Sequence, residues 1–290
     1  MFDLVSRRGF VSLSAVAAAG LGLAGCSGSK TSEPAGSDAG SAKASSKKAV
    51  ELQVFAANSL EKALPEVQEL YTEQTGTTFA DTQFKASGDL VEQMRAGATV
   101  DVLITASKDT MDDAETAELV DADTREDMFV NDLVIIRAEG SDTKVEAIAD
   151  VANLEGMIAI GDAKTVPAGK YANQALASVG LYTGIEGDDG EYAPEIADKV
   201  ALADKVGTAA AYVSTGDCVA GFVYSSDIFR YDGIEEAFVC PEDSHKPIVY
   251  PGAVAESSEH DDEAKAFIDF CLTNKKAQKI WAKYGFELSA

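Results

Sequence analysis

From residue 50 onward, short apolar segments alternate with longer stretches in which apolar positions recur every three or four residues. The short segments predict β-strands, and the longer stretches predict amphipathic helices. The predicted strands are 51–56, 77–84, 100–105, 132–137, 157–160, 220–224 and 248–255. This alternation is typical of an α/β fold with mostly parallel sheets.

The first predicted helix shows how the pattern begins and ends. Residues 60–75 follow the helical spacing, and Gly76 ends them. Pro65 lacks an N–H group inside this stretch, so we expect a kink or a restart of the helix near it. In parallel sheets, ligands sit at the carboxyl ends of the strands, where helix N-termini point. The residues that follow each strand are therefore the candidates for a binding site.

Four strand-to-helix junctions carry small or apolar residues where a helix begins, and a fifth strand ends on a tyrosine. Each feature has an ordinary structural explanation, since Ser and Asn are common helix caps and a tyrosine at a strand end is usually half-buried. Pro167 suits a first helical position and leaves a free N–H on the next residue. The positions in question are Asn58-Ser59, Ser87, Pro167-Ala168, Val206 and Tyr224.

The first 49 residues carry an export pattern rather than a fold. The pair Arg7-Arg8 precedes an almost wholly apolar run over 11–23, which resembles a twin-arginine signal, and residues 23–26 resemble a lipobox. This pattern predicts a signal peptide over 1–25, a lipidated Cys26 and a lipid-anchored protein outside the cytoplasm. The alternative is an uncleaved anchor with a chance cysteine. Residues 27–49 hold no aromatic residue and no Val, Ile or Leu, so 26–49 are expected to form a disordered tether.

The charge of the chain narrows the class of partner. A formal net charge of −25 argues against nucleic acid and against an anionic membrane surface as partners. Three cysteines remain besides Cys26, and none has CxxC spacing. Cys271 lies in a helical pattern and is expected to be a buried thiol, whereas Cys218 and Cys240 could pair, which the sequence leaves open.

Catalytic and metal-binding alternatives find little support. The chain has only two histidines, His245 and His260, and no G-x-S-x-G, HExxH or complete phosphate-loop motif. His245 is expected to be a structural hydrogen-bonding residue rather than a catalyst. The acidic runs lack EF-hand spacing and are best interpreted as solvated faces. We therefore expect no enzyme activity and no cofactor.

Taken in order, five stretches resemble the periplasmic molybdate-binding proteins of ABC importers. They are FAANSLEKALPEV, FKASGDLVEQMRAGATVDVLITAS, GDAKTVPAGKYANQAL, GFVYSSD and CPEDSHKPIVYPGAVAE. The resemblance runs from about residue 52 to 286, and an acidic insertion over 184–194 interrupts it. It implies a type II two-lobed periplasmic binding protein fold with the ligand in the cleft between the lobes. Lobe 1 would comprise 50–131 and 249–290, and lobe 2 would comprise 132–248.

The resemblance also implies a site and a function. Ser59 and Ser87 would donate from lobe 1, while the backbone N–H groups of Ala168 and Val206 and the phenol of Tyr224 would donate from lobe 2. A monomeric, lipid-anchored protein would then capture molybdate, and tungstate as well, and deliver it to the membrane permease of an ABC importer. The alternatives are sulfate or another oxyanion as ligand, or a surface oxyanion sensor or adhesin.

Overall fold

The structure of the protein is a computed structural model, which describes residues 50–289. The predicted signal peptide, the lipidation site Cys26 and the predicted tether lie outside these residues. Among residues 50–289, no helix combines the length and the apolar character that spanning a bilayer requires.

The larger of two main sheets has six strands in the order β13-β6-β12-β5-β2-β4. Its pairings are mixed, because β2 runs parallel to β4 and β5 whereas β12 runs antiparallel to β5 and β6. A short parallel pair, β1 with β3, is separate from it. The strands are β1 (Glu51–Leu52), β2 (Val54–Ala57), β3 (Thr78–Phe79), β4 (Gln83–Lys85), β5 (Val102–Ile104), β6 (Glu126–Asn131), β12 (Ile248–Val254) and β13 (Glu287–Leu288).

The second sheet has five strands in the order β11-β7-β10-β8-β9. Its strands are β7 (Leu133–Ala138), β8 (Ile158–Gly161), β9 (Val200–Ala203), β10 (Ala220–Tyr224) and β11 (Ile234–Val239). Strand β10 is parallel to β8 and antiparallel to β7, so this sheet is mixed as well. The expectation of mostly parallel sheets is therefore wrong, because β7 and β12, the first strands after each passage between the sheets, run antiparallel to the strands beside them.

Eight α-helices connect the strands of the described region. They are α1 (Ala63–Thr75), α2 (Ser87–Arg95), α3 (Lys108–Thr116), α4 (Pro167–Ser178), α5 (Pro194–Ala197), α6 (Val206–Ser214), α7 (Asp261–Thr273) and α8 (Lys275–Lys283). A 3-10 turn over Asn58–Leu60 precedes α1, which starts again at Ala63. Pro65 thus falls in the first turn of α1, where its missing N–H costs nothing. This confirms the expected restart near Pro65, and Gly76 ends the helix in the left-handed conformation.

The sequence pattern located seven strand regions but missed four strands. These are β6, β9, β11 and β13. Strand β9 exposes Leu202 to 54%, and the pairing of β11 is interrupted by a bulge between Glu236 and Phe238. The bulge disturbs the alternation of β11, whereas β9 is a run of only four apolar residues, VALA, too short to be distinguished from the neighbouring helical pattern.

The chain passes between the two sheets at two points. It leaves the six-stranded sheet after β6, crosses at Asp132, and returns between β11 and β12. We call residues 50–131 and 248–289 the six-stranded side, and residues 132–247 the five-stranded side. Residues 50–289 belong to one compact unit, and the proposed division of this unit into two lobes stays a prediction.

The cysteines of the described region are buried free thiols. Cys218, Cys240 and Cys271 have no disulfide partner, so the possible pair of Cys218 with Cys240 does not form in this structure. Burial raises the pKa of the Cys240 thiol to about 12, which keeps it protonated and unreactive at neutral pH. Cys271 is 0% exposed, and this confirms the expectation of a buried thiol.

The acidic insertion over 184–194 is folded against α4. Asn173 Nδ2 donates to the carbonyl of Gly187 at 2.8 Å, and Gln174 Nε2 donates to the carbonyl of Glu186 at 2.9 Å. Tyr192 Oη donates to Asn173 Oδ1 at 2.9 Å. The insertion is therefore held by buried side chains of α4, and it places its acidic residues next to that helix.

Candidate oxyanion-binding site

One small cavity brings together all five residues that were predicted to bind an oxyanion. It is small, with room for about one water molecule. The six-stranded side contributes the ends of β2 and β4, and the five-stranded side contributes α4, α6 and the end of β10. The lining residues are Ala57, Asn58, Ser59, Lys85, Ala86, Ser87, Ala106, Val166, Pro167, Ala168, Val206 and Tyr224.

Three helices begin at this cavity, which lies between the two sheets. Ser87 is the first residue of α2, Ala168 is the second residue of α4, and Val206 is the first residue of α6. In none of the three helices does the side chain of the N-cap residue itself accept a first-turn N–H. Because first-turn N–H groups have no partner within a helix, each of these residues has an N–H group available for a ligand. The aligned peptide dipoles add partial positive charge at the same place.

The hydrogen-bond partners of the two serines are compatible with donation of both hydroxyl protons to a ligand. Ser87 Oγ accepts the backbone N–H of Ala106 at 3.0 Å, which leaves its own proton free to donate. Ser59 Oγ lies 3.0 Å from Tyr250 Oη, and Asn131 Nδ2 donates to Tyr250 Oη at 3.5 Å. When Tyr250 Oη donates its hydrogen bond to Ser59 Oγ, the Ser59 hydroxyl can donate its own proton to a ligand. Sequence reasoning missed Tyr250 and Asn131, although Tyr250 lies in the stretch YPGAV.

Tyr224 presents a buried hydroxyl that has no partner in the described part of the chain. The residue is 1% exposed, and its Oη forms no hydrogen bond. Its ring is held edge-on by Tyr171 and Tyr250, with centroid distances of 6.5 and 5.7 Å. Asp227 Oδ2 accepts the backbone N–H of Tyr224 at 3.0 Å. Burial raises the pKa of Tyr224 well above its usual value, so the phenol stays protonated and can only donate to an anion.

The donors that face the cavity are neutral. Lys85 is the only lining residue with an ionisable amine, and its Nζ donates to Gln93 Oε1 at 3.2 Å on the exposed surface. Within residues 50–289, no group of three or more His, Cys, Asp and Glu side chains could hold a metal ion. The arrangement thus suits an anion that is bound by hydrogen bonds and helix dipoles, without a counter-charge.

Close packing sets the shape of the cavity wall. The N–H of Gly88 donates to the carbonyl of Thr165 at 3.1 Å, which joins α2 to the segment before α4. A Cβ atom at residue 88 would lie 2.9 Å from Thr165 Cα, so only glycine allows this approach. The two helix N-termini are thereby held against each other across the boundary between the sides.

A cluster of charged residues surrounds Lys170, which follows Ala168 by two residues in α4. This rim cluster consists of Asp109 of α3, Lys170 of α4, Glu186 and Asp188 of the insertion, and Lys246. Lys170 Nζ lies 3.0 Å from both Asp109 Oδ2 and Asp188 Oδ2. Lys246 Nζ lies 2.8 Å from Glu186 Oε2 and 3.6 Å from Asp109 Oδ2.

The charges of the rim cluster stabilise one another. Burial opposes the charged form of Lys170, but its bonds to Asp188 and Asp109 outweigh burial and raise its pKa. Burial likewise works against ionised Asp109, but Lys170 and Lys246 lower its pKa. The neighbouring His245 is bonded through Nδ1 to the carbonyl of Lys246 at 2.8 Å and packs on Tyr171, as a structural residue would.

The chain belongs to the family of bacterial extracellular solute-binding proteins, whose pattern matches residues 52–287. The molybdate-binding protein ModA of Escherichia coli (strain K12) is 32% identical over 242 residues, which cover 82% of this chain and 89% of that protein. The ModA of Haemophilus influenzae is 30% identical over 237 residues, which cover 80% and 88% of the two chains.

A comparison of structures supports the fold. The periplasmic molybdate-binding protein of Azotobacter vinelandii superposes with a TM-score of 0.69 at 20% identity, covering 82% of this chain and 100% of that one. At this identity the likeness concerns the fold alone. The predicted α/β fold of the periplasmic binding proteins is confirmed.

Proposed function

We propose that the protein captures molybdate, and tungstate as well, in the cavity lined by Ser59, Ser87, Ala168, Val206 and Tyr224, and delivers it to an ABC importer. The observation that carries this proposal is the meeting of the N-termini of α2, α4 and α6 with the hydroxyl of Tyr224, which has no hydrogen-bond partner within residues 50–289. The molybdate-binding relatives from E. coli and H. influenzae support the choice of oxyanion.

Neutral donors favour a fully deprotonated tetrahedral anion. Hydrogen bonds to a charged acceptor contribute about 1.5–3 kcal/mol each, so five donor residues offset the cost of taking the anion out of water. A protonated ligand oxygen would meet no acceptor among these donors. Phosphate, which keeps a proton near neutral pH, would therefore bind poorly. Sulfate is fully deprotonated but smaller, so fewer donors would engage it at once.

A competition titration tests this function. In calorimetry with molybdate, tungstate, sulfate and phosphate, we expect tight binding of the first two and far weaker binding of the others. Equal affinity for sulfate would favour a sulfate-binding protein with the same fold. No binding of any of the four would contradict the proposal and favour the surface-sensor or adhesin alternative with another ligand.

The place of the protein in the cell is proposed from the sequence pattern of residues 1–49. A twin-arginine signal would direct export, and lipidated Cys26 would anchor a monomer to the outer face of the cytoplasmic membrane, beside the permease. We expect Cys26→Ser to release the protein from the membrane fraction or to leave the precursor unprocessed. Replacement of Arg7 and Arg8 by Lys should retain the precursor in the cytoplasm. Normal processing and attachment in both variants would contradict this assignment.

The ligand is proposed to bind between two lobes, with boundaries after residues 131 and 248. This proposal is supported by the two sheets and by the passages of the chain between them near Asp132 and before Ile248. It follows that the donors of Ser59 and Ser87 come from one lobe, and those of Ala168, Val206 and Tyr224 come from the other.

A further inference from the structure

Asn58 lines the cavity but is not one of the five proposed donors. It is 3% exposed and is the first residue of the 3-10 turn that follows β2. A buried amide of this kind must find hydrogen-bond partners. Its partners lie mostly on the five-stranded side, across the boundary from Asn58 itself.

The bonds of Asn58 fix the orientation of its amide. Oδ1 accepts the backbone N–H of Gly207 at 3.1 Å and Arg230 Nη2 at 3.4 Å, while Nδ2 donates to Glu61 Oε2 at 2.8 Å. A flipped amide would place Nδ2 against two donors and Oδ1 against a carboxylate. Only one orientation therefore satisfies the surroundings.

Arg230 completes a network that we call the Asn58 clasp, which comprises Asn58, Glu61, Gly207, Arg230 and Tyr231. The Arg230 side chain is 0% exposed, and its Nη2 lies 3.0 Å from Glu61 Oε1 and 2.7 Å from Tyr231 Oη. Tyr231 Oη donates to Glu61 Oε1 at 3.1 Å. The guanidinium also pairs with buried Asp227, so two carboxylates compensate its charge. Arg230 is thus held by partners within the protein and does not line the cavity.

The clasp reaches the cavity through the first turn of α6. Gly207 directly follows Val206, and both N–H groups belong to that turn. A Cβ atom at residue 207 would lie 2.1 Å from Tyr231 Oη and 2.8 Å from Asn58 Oδ1, so this close approach requires glycine. Asn58 takes up the N–H of Gly207, and this leaves the N–H of Val206 as the donor at the start of α6.

We infer that Asn58 is a positioning residue for the oxyanion: by holding Gly207, it sets the N–H of Val206 at the correct place in the cavity. This inference rests on the proposed function, since the Val206 N–H matters only if an anion binds there. Asn58 itself acts through α6 rather than through its own contact with the ligand.

The test combines affinity with a residue-specific signal. We expect Asn58→Ala to weaken molybdate binding about 10-fold or more, the effect of losing one well-aligned charge-assisted donor. In amide NMR spectra, molybdate should shift the Val206 signal strongly in the parent protein and only weakly in Asn58→Ala. The Ala168 signal should still shift in both, because none of the clasp's hydrogen bonds involves a residue of α4.

Asn173→Ala provides a matched control. Asn173 is also 3% exposed and also bonds another segment, but its partners Gly187 and Tyr192 belong to the acidic insertion. A purely structural role for Asn58 predicts that both variants lower the melting temperature and that neither changes the affinity. This outcome, or equal loss of the Val206 and Ala168 shifts in Asn58→Ala, would overturn the inference.

Glu61→Gln is the second test variant, to be used if Asn58→Ala does not fold. The Gln side chain can still accept from Asn58 Nδ2, but it loses the ion pair with Arg230, so we expect a smaller loss of affinity with the same selective effect on Val206. Unchanged affinity and unchanged Val206 shifts would contradict the inference. If the parent protein binds no molybdate, the proposed function fails and the inference fails with it. If the parent binds but both variants bind equally well, only the inference fails.

Discussion

The oxyanion cavity and the rim cluster involve residues of α4 that are two positions apart, yet they use opposite chemistry. Ala168 at the start of the helix offers a neutral backbone donor to a cavity lined by hydroxyl and N–H groups. Lys170 lies within a group of mutually paired charges that links α3, α4 and the acidic insertion. The comparison suggests a division of roles, in which charges join the two sides of the protein and neutral dipoles receive the ligand.

This division has a physical reason. A lysine inside the cavity would bind any anion of suitable size, whereas fixed neutral donors select by shape and by protonation state. At the solvent-exposed rim, ion pairs contribute little energy, and salt screens them further. The rim can therefore carry charges without deciding which anion is bound.

A negative charge placed in the cavity should have the largest effect on the affinity for molybdate. In Ser87→Asp, the carboxylate can still accept the Ala106 N–H, so the fold should survive. It would repel each charge of the anion by about 4 kcal/mol at 4 Å and an effective dielectric constant of 20, which predicts at least about 1,000-fold weaker molybdate binding.

Ser87→Asn has nearly the same size without the charge and is the control for that variant. Calorimetry should show a much smaller loss for Asn than for Asp. Equal losses of affinity would mean that the size of the side chain at residue 87, rather than its charge, limits molybdate binding. The neutral character of the cavity would then not explain its affinity for the anion.

Tyr224→Phe should have the next largest effect. It removes one donor to the anion, worth about 1.5–3 kcal/mol, or roughly 10-fold to 150-fold in dissociation constant. The ring packing against Tyr171 and Tyr250 should persist. Because the hydroxyl has no hydrogen-bond partner within residues 50–289, the melting temperature without ligand should stay the same or rise slightly.

Tyr171→Phe is the matched control, since Tyr171 packs on Tyr224 but does not line the oxyanion cavity. It should leave the affinity for molybdate nearly unchanged. A structural tyrosine at 224 would give the reverse pattern, with a lower melting temperature in Tyr224→Phe and no loss of affinity.

Lys170→Gln tests the rim and should have a small effect. Exposed ion pairs contribute at most about 1 kcal/mol, so we expect a modest loss of stability in denaturant titrations and a change in molybdate affinity of less than about fivefold. Added salt should reduce the difference in stability between the parent and the variant. A loss of affinity as large as that of Tyr224→Phe would show that the rim charge takes part in binding.

The pH dependence of stability should show the smallest effect. The pKa of Asp109 is lowered from its usual 3.8, so its stabilising contribution is complete above that value and is lost as the pH falls through the lower value in the folded state. As the pH is lowered from about 5 to about 3, the melting temperature should therefore fall less steeply in Asp109→Asn than in the parent protein. Identical slopes would mean that Asp109 is not stabilised by Lys170 and Lys246.

The two regions also differ in how far the sequence predicts them. The cavity donors follow from local signals, namely strand ends next to helix starts, and from resemblance to a known family. All five lie around one cavity. The rim cluster and the Asn58 clasp join residues far apart in the chain, such as Asp109 with Lys170 and Asn58 with Arg230. No local period or motif marks such pairs, because the fold alone brings them together.

The same distinction holds for the strands. Central strands such as β5 and β10 have continuous apolar runs and were predicted, whereas β9, β11 and β13 were not. Strands β11 and β13 lie at sheet edges, where a strand pairs on one side only and can carry polar or irregular residues, so their sequences resemble loops. The antiparallel partners β7 and β12 were located as strands, but their direction depends on where the chain crosses between the sheets.

A crystal structure of the molybdate complex, phased or checked with the anomalous signal of molybdenum, tests the central claim most directly. We expect one molybdenum peak in the cavity, with oxygens at hydrogen-bond distance, about 3 Å, from Ser59 Oγ, Ser87 Oγ, Tyr224 Oη and the backbone nitrogens of Ala168 and Val206. A peak beside Lys170 and Lys246, or a cavity that stays empty at saturating molybdate, would contradict the account.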